Sequence, residues 1–145
     1  MAAVSAVEAE RVTAQPPARV KEKLMQQIAL PKAPDLASLI VRAAQGHWHK
    51  ALPGIEIKRL FVDPITQGVT SLVRVAAGAI YPAHLHHGTE HLYVLDGDIV
   101  FDDHTLSSGD FEVRLPSTKH SSATTPPGEA CLLLVINSGH DEFLS

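Results

Sequence analysis

From Leu36 onward, short runs rich in Val, Ile, Leu and Phe alternate with breaks at Gly, Pro and Asp: SLIVRA, IEIKRLFV, VTSLVRVA, EHLYVLD, DIVF, DFEVRL and ACLLLVIN. Runs of this length and punctuation predict an antiparallel all-β domain, a sandwich or barrel, rather than alternating strands and helices. Asp96-Gly97, between EHLYVLD and DIVF, predicts a tight hairpin. The first 34 residues follow another rhythm. Pro16 and Pro17 stand where a helix can begin without losing a hydrogen bond. Val20, Leu24 and Ile28 then recur every fourth residue, with Lys21, Glu22, Lys23, Gln26 and Gln27 on the other faces, until Pro31 and Pro34 stop the helix. The pattern therefore predicts a helical appendage over residues 1–34 and a β domain over residues 35–145. The single apolar stripe predicts a helix docked on its own domain or on a second copy, so a homodimer is the expected assembly.

Composition narrows the classes of function. The chain has 145 residues, enough for one domain with a hydrophobic core of its own. Apolar residues make up 45% and charged residues 19%, with a net charge of −4, so neither nucleic acid nor an anionic membrane surface is an expected partner. No stretch approaches the length of a membrane span. The opening MAAVSAVEAERV carries acidic residues where a secretory peptide needs a basic patch and an apolar run, which makes a cytoplasmic location the expectation. Cys131 is the single cysteine, which excludes an internal disulfide and a Cys-x-x-Cys zinc knuckle. Lying in ACLLLVI, it reads as a buried core thiol.

The densest chemistry lies in HLHHGTEH, residues 84–91. Side chains two apart on a strand share a face. If YPAHLH is extended, His84 and His86 point the same way. With a turn at Gly88, EHLYVL resumes a strand in which Glu90, Leu92 and Val94 share one face and His91, Tyr93 and Leu95 the other. If the first face is inward, Glu90 turns toward His84 and His86, while His87 and His91 have the wrong parity. A fourth ligand is expected from His120, which follows the run DFEVRL and a proline-containing turn. His104 in DDHT and His140 in SGHDEF are weaker candidates. His47 and His49 flank Trp48 with the right parity, but no carboxylate follows within a short turn, so aromatic packing explains them more simply.

These residues carry a resemblance. Gly78, His84, His86, Glu90 and Gly97 match the first motif of the cupin superfamily at every spacing, and Gly109 and His120 match the interval that opens and closes the second. The interior of the second motif departs from pattern: Pro116 is one place late, Ser117 stands where glycine is usual, and Thr124 replaces the usual asparagine. The resemblance implies a jelly-roll β-barrel of the RmlC-like type holding one divalent ion on His84, His86, Glu90 and His120. Over residues 36–137, HLHHGTEHLYVLDGDI, LSSGDFEVRLPSTKHSS and GEACLLLVIN are similar to the cupin domain of ChrR-type anti-sigma factors. In that family the cupin domain carries zinc and takes part in the response to oxidative stress. The family's sigma-binding part is a helical domain with a His/Cys zinc site. Only fifteen residues precede Pro16 here, with no Cys or His among them. The sequence thus resembles the sensor half alone, either as a stand-alone descendant or as an excised fragment.

Three functions follow as expectations. The first is a metal-binding regulatory or sensory module, responding to a small molecule or oxidant. The second is a small Fe(II)-dependent dioxygenase acting on a β-diketone or phenolic ketone, with Tyr81, Tyr93 and Arg74 as the candidates to orient substrate. The third is a ligand-binding cupin whose metal is structural. Zinc is the first choice of ion by resemblance, and three imidazoles with a carboxylate also suit Fe(II), Mn(II) or Ni(II). Sigma-factor binding is not expected of this chain by itself. Its spare helix of roughly 14 residues spans about 20 Å, and a stable interface needs about 800 Å² per partner.

Overall fold

A computed structural model of the chain describes residues 38–139 and 141–144. The helix expected from Pro16 onward, the appendage boundary at residue 34 and His140 lie outside the described residues. All regular structure in the described part is β, in thirteen strands numbered in chain order. β1 (His49–Leu52), β2 (Ile55–Val62), β3 (Val69–Val75), β6 (Glu90–Asp96), β9 (Phe111–Arg114) and β12 (Cys131–Asn137) form a six-stranded antiparallel sheet in the order β1-β2-β3-β12-β6-β9. β4 (Ile80–Tyr81), β7 (Asp98–Val100), β8 (Thr105–Ser107) and β11 (Ala123–Thr124) form a second sheet, ordered β4-β11-β7-β8. β5 (His84–His86), β10 (Lys119–His120) and β13 (Asp141–Phe143) form a third, with β5 central. This is a jelly-roll barrel, in which two sheet faces enclose one interior.

Strand alternation builds the core. Ile55, Val73, Val75, Leu92, Val94, Cys131 and Leu133 project from the large sheet and pack with Ile99, Phe101 and Ala123 from the second sheet side. In β6, Glu90, Leu92 and Val94 are buried while His91, Tyr93 and Leu95 are exposed, the period-2 pattern of a half-buried strand. In β9 the polarity is reversed. Phe111 and Val113 face solvent, whereas Glu112 and Arg114 turn toward the interior side, where Arg114 pairs with Glu112 at 2.7 Å.

Two expectations fail. SLIVRA forms no strand, and Leu39, Ile40 and Val41 are exposed. The chain turns immediately afterwards. Gln45 N–H donates to the Arg42 carbonyl, Arg42 N–H donates to the Gln45 side-chain oxygen, and the buried Lys58 ammonium donates to the Ala43 carbonyl. Local turn chemistry thus outweighs strand propensity. Asp96-Gly97 is not a tight hairpin either, because β6 and β7 belong to different sheets and do not pair. Gly97 instead passes the chain around a corner. Its φ is +78°, and a Cβ there would lie 2.3 Å from the Ala130 carbonyl oxygen, so the position requires glycine twice over.

Candidate metal centre

Three short pieces of chain deliver the polar residues to the interior. In β5, His84 and His86 are both 1% exposed, while Leu85 between them lies on the other face. β5 pairs with β10, placing His120 directly across from His84. Gly88 allows the return from β5 to β6 by passing against Gly139, where a Cβ would lie 2.5 Å from the Gly139 nitrogen. Glu90 then enters as the first inward residue of β6, 5% exposed.

The ligand-capable atoms of His84, His86 and Glu90 all lie within 4.8 Å of one another. Among the described residues no other group of three His, Cys, Asp or Glu side chains comes this close. His120 stands beside the trio rather than within that tightest grouping, with its ring stacked 4.9 Å from His84 and set 5.5 Å from His86. The His84 and His86 rings are 4.6 Å apart. Glu90 Oε2 lies 4.0 Å from His86 Nδ1, too long for a hydrogen bond.

Hydrogen bonding sets the tautomers. His84 Nδ1 lies 3.0 Å from the Pro82 carbonyl oxygen, and His120 Nδ1 lies 3.0 Å from the Ser121 carbonyl oxygen. A carbonyl can only accept, so Nδ1 carries the proton in both rings and Nε2 carries the lone pair. His84 Nε2 is buried with no hydrogen-bond partner in the protein. A backbone carbonyl on one nitrogen and an unsatisfied lone pair on the other is how metal-binding imidazoles are commonly held. Burial is the main cause that pushes the His120 pKa down to about 4. Its bond to Ser121 opposes this, and the neighbouring His84, Arg114 and His86 add to it electrostatically. His120 is thus neutral near pH 7, the state in which imidazole can coordinate. The donor set fits a divalent ion: His84, His86 and Glu90 could hold it, with His120 adjacent.

Aromatic rings wall the cluster. Tyr81 meets His84 edge-on at 5.4 Å, Phe143 lies 5.7 Å from the same ring, and Phe101 sits between His120 at 4.4 Å and His104 at 4.7 Å. The cavity reaching His84, Glu90 and His120 has a volume of only about 30 Å³ and is otherwise lined chiefly by aliphatic and aromatic side chains.

The other sequence candidates are dispersed. His87 and His91 are exposed, and His91 packs on Phe111 at the outer surface. His104 lies between Asp103 at 2.6 Å and Glu112 at 3.3 Å. His47 and His49 are exposed, and the Trp48 ring is covered by the Arg74 guanidinium at 4.0 Å. Of the three residues considered for orienting a substrate, only Tyr81 reaches the cluster. Tyr93 is 40% exposed on the outer face of β6, and the exposed Arg74 pairs with Glu56 at 3.1 Å. Strand parity carried the information on Tyr93, which shares its face with His91. Phe143 was missed because a lone aromatic near a polar tail gives no pairing signal in sequence.

The ChrR cupin-like domain family matches residues 36–140. No curated protein matches the chain significantly. Among solved structures, an RmlC-like cupin protein from Ralstonia eutropha JMP134 is 20% identical, over 74% of this chain and 73% of that one, with a TM-score of 0.67. An acetylacetone dioxygenase from Acinetobacter johnsonii is 16% identical, over 76% and 80%, with a TM-score of 0.67. A chain of the Rhodobacter sphaeroides complex of SigE with the anti-sigma ChrR is 22% identical, over 94% and 70%, with a TM-score of 0.59. At these identities the structural likeness speaks to the fold, which is that of RmlC-like cupins. The family match spans most of the sequence and includes all four residues of the cluster, and the chain belongs to the ChrR cupin-like domain family.

Proposed function

We propose that this chain is a metal-binding regulatory or sensory module, holding one divalent ion on His84, His86, Glu90 and His120, with zinc as the ion and the cytoplasm as its location. The observation that carries this reading is the size of the space beside the cluster. A cavity of about 30 Å³ admits a water or two, whereas pockets that take small organic molecules run to roughly 300–1,000 Å³. Such a site suits an ion that orders the barrel better than one that turns over a diketone. Cys131 is not the oxidant-sensing group. It is 2% exposed, and burial, with the carboxylates of Asp98 and Asp96, pushes its pKa up to about 11, so the reactive thiolate is scarce.

A small Fe(II)-dependent dioxygenase acting on a β-diketone or phenolic ketone is the second reading. It is favoured by Tyr81, whose ring lies against His84 and also lines a much larger cleft. One experiment separates the two. Elemental analysis of protein purified from unsupplemented cells, followed by oxygen uptake by Fe(II)-loaded protein with acetylacetone, is expected to show one zinc per chain and no uptake. Sustained uptake that depends on the diketone would replace the first reading by the second. As a partner test, the purified protein mixed with candidate sigma factors is expected to elute at its own mass, that of a homodimer. A stable stoichiometric complex would make it a complete anti-sigma factor instead.

A further inference from the structure

A second, larger cavity of about 510 Å³ opens on the inner face of the big sheet; it shares Val73, Tyr81 and Val135 with the small cavity beside the cluster, but none of the four metal-capable residues lines it. Its apolar floor includes Ile57, Val73 and Val135, and its polar rim carries Arg59 and His49. No Asp or Glu lines it, although the chain as a whole is acidic. Arg59 makes no ion pair among the described residues, whereas Arg74 is neutralised by Glu56 and Arg114 by Glu112. The β2–β3 register slips between Arg59 and Phe61. Such a bulge re-aims side chains at the rim of a barrel. The volume falls within the range of pockets that enclose small organic molecules.

We infer that this cleft binds a small organic anion, a carboxylate with an apolar body, whose charge is recognised by Arg59, with His49 lining the same cleft. One guanidinium provides the charge for a single carboxylate, an imidazole N–H can add a hydrogen bond, and the aliphatic floor favours carbon over the fully polar surface of a phosphate. The occupant would rest against Tyr81 and Phe143, which line the cleft and lie 5.4 and 5.7 Å from the His84 ring. A ligand there touches the walls of the ion site without entering it. In this respect the inference rests on the regulatory reading and supplies the class of molecule sensed.

The test titrates the full chain, as purified, with hexanoate, hexanamide and inorganic phosphate, following backbone amide resonances. Hexanoate is expected to saturate and to move resonances of β1, β2 and β3, with hexanamide and phosphate each about fivefold weaker or more, the scale of one partly exposed ion pair. Arg59→Met should weaken hexanoate by a similar factor at unchanged metal content, and Arg59→Lys should restore most of the affinity. Equal binding of hexanoate and hexanamide, indifference to Arg59→Met, or no saturable binding of hexanoate would overturn the inference. Metal retained in His84→Ala would sink the ion site and leave the Arg59 comparison standing, so the two failures are distinguishable.

Discussion

The barrel interior has two halves that are equally buried and chemically opposite. In one half Ile55, Val75 and Val94 are 0% exposed and Cys131 2%. In the other, His84 and His86 are 1% exposed, His120 3% and Glu90 5%. The apolar half is complete in itself, because burial is its own driving force at about 25 cal/mol per Å². The polar half is not, because removing a polar atom from water is costly unless a partner replaces the solvent, and the protein offers none to His84 Nε2. Matched burial therefore hides a difference in where stability comes from. One half is closed by packing, while the other leaves a buried imidazole nitrogen that packing does not satisfy.

The sharpest way to break that comparison is to remove donors. His84→Ala, His86→Ala and Glu90→Ala should each lose metal affinity by more than the roughly 10–100-fold that changes around a ligand cost, read as metal per folded chain after dialysis. Retention of a full equivalent by any of them would place the ion elsewhere. The matching change in the apolar half, Ile55→Ala, should lower stability by about 2–5 kcal/mol in urea unfolding, with the metal content of the folded fraction unchanged. If Ile55→Ala also releases the ion, the halves are not independent.

A subtler test uses acid on the chelated protein. His120 has its pKa lowered from 6.5 to about 4 by burial. Between these values the unfolded chain binds the proton and the folded chain does not, so stability falls as pH drops from about 6.5 toward about 4 and levels off below. His120→Gln should flatten that part of the urea-midpoint profile, whereas Ile55→Ala should shift the whole profile down and keep its slope. The smallest effects are expected outside the barrel. His87→Ala and His91→Ala are exposed positions and should change stability by no more than about 0.5 kcal/mol, with metal content at the wild-type level.

The sequence made the polar half more legible than the geometry around it. Alternation in EHLYVLD indicated which face Glu90 shares with Leu92 and Val94, and the structure buries those three together. Periodicity could not indicate what lies beyond a strand's own neighbours. Asp96-Gly97 has the composition of a hairpin, yet it turns a corner because Ala130 approaches from 33 residues away. SLIVRA has the composition of a strand, yet a turn at Arg42–Gln45 follows it at once. Arg59 resembles any surface arginine until β1, β3 and β12 supply the rest of its cleft. For Gly97 and Arg59 the missing information was a contact between distant segments, and for SLIVRA it was the turn chemistry of the residues next to it.

The strand that carries both histidines has only three residues, and its neighbours β10 and β13 have two and three. β13 aligns Phe143 with His84 and Asp141 with His86, so it pairs along the whole strand that carries the two imidazoles. If that pairing couples the two, thermodynamic reciprocity requires that whatever steadies the rings also latches β13, and that a latched β13 tightens the grip on whatever the rings hold. Occupancy would thus be written into the backbone: amide protons of β5 and β13 exchanging slowly in the loaded protein and quickly after chelation, and a protease cut within β13 converting a tight site into a leaky one.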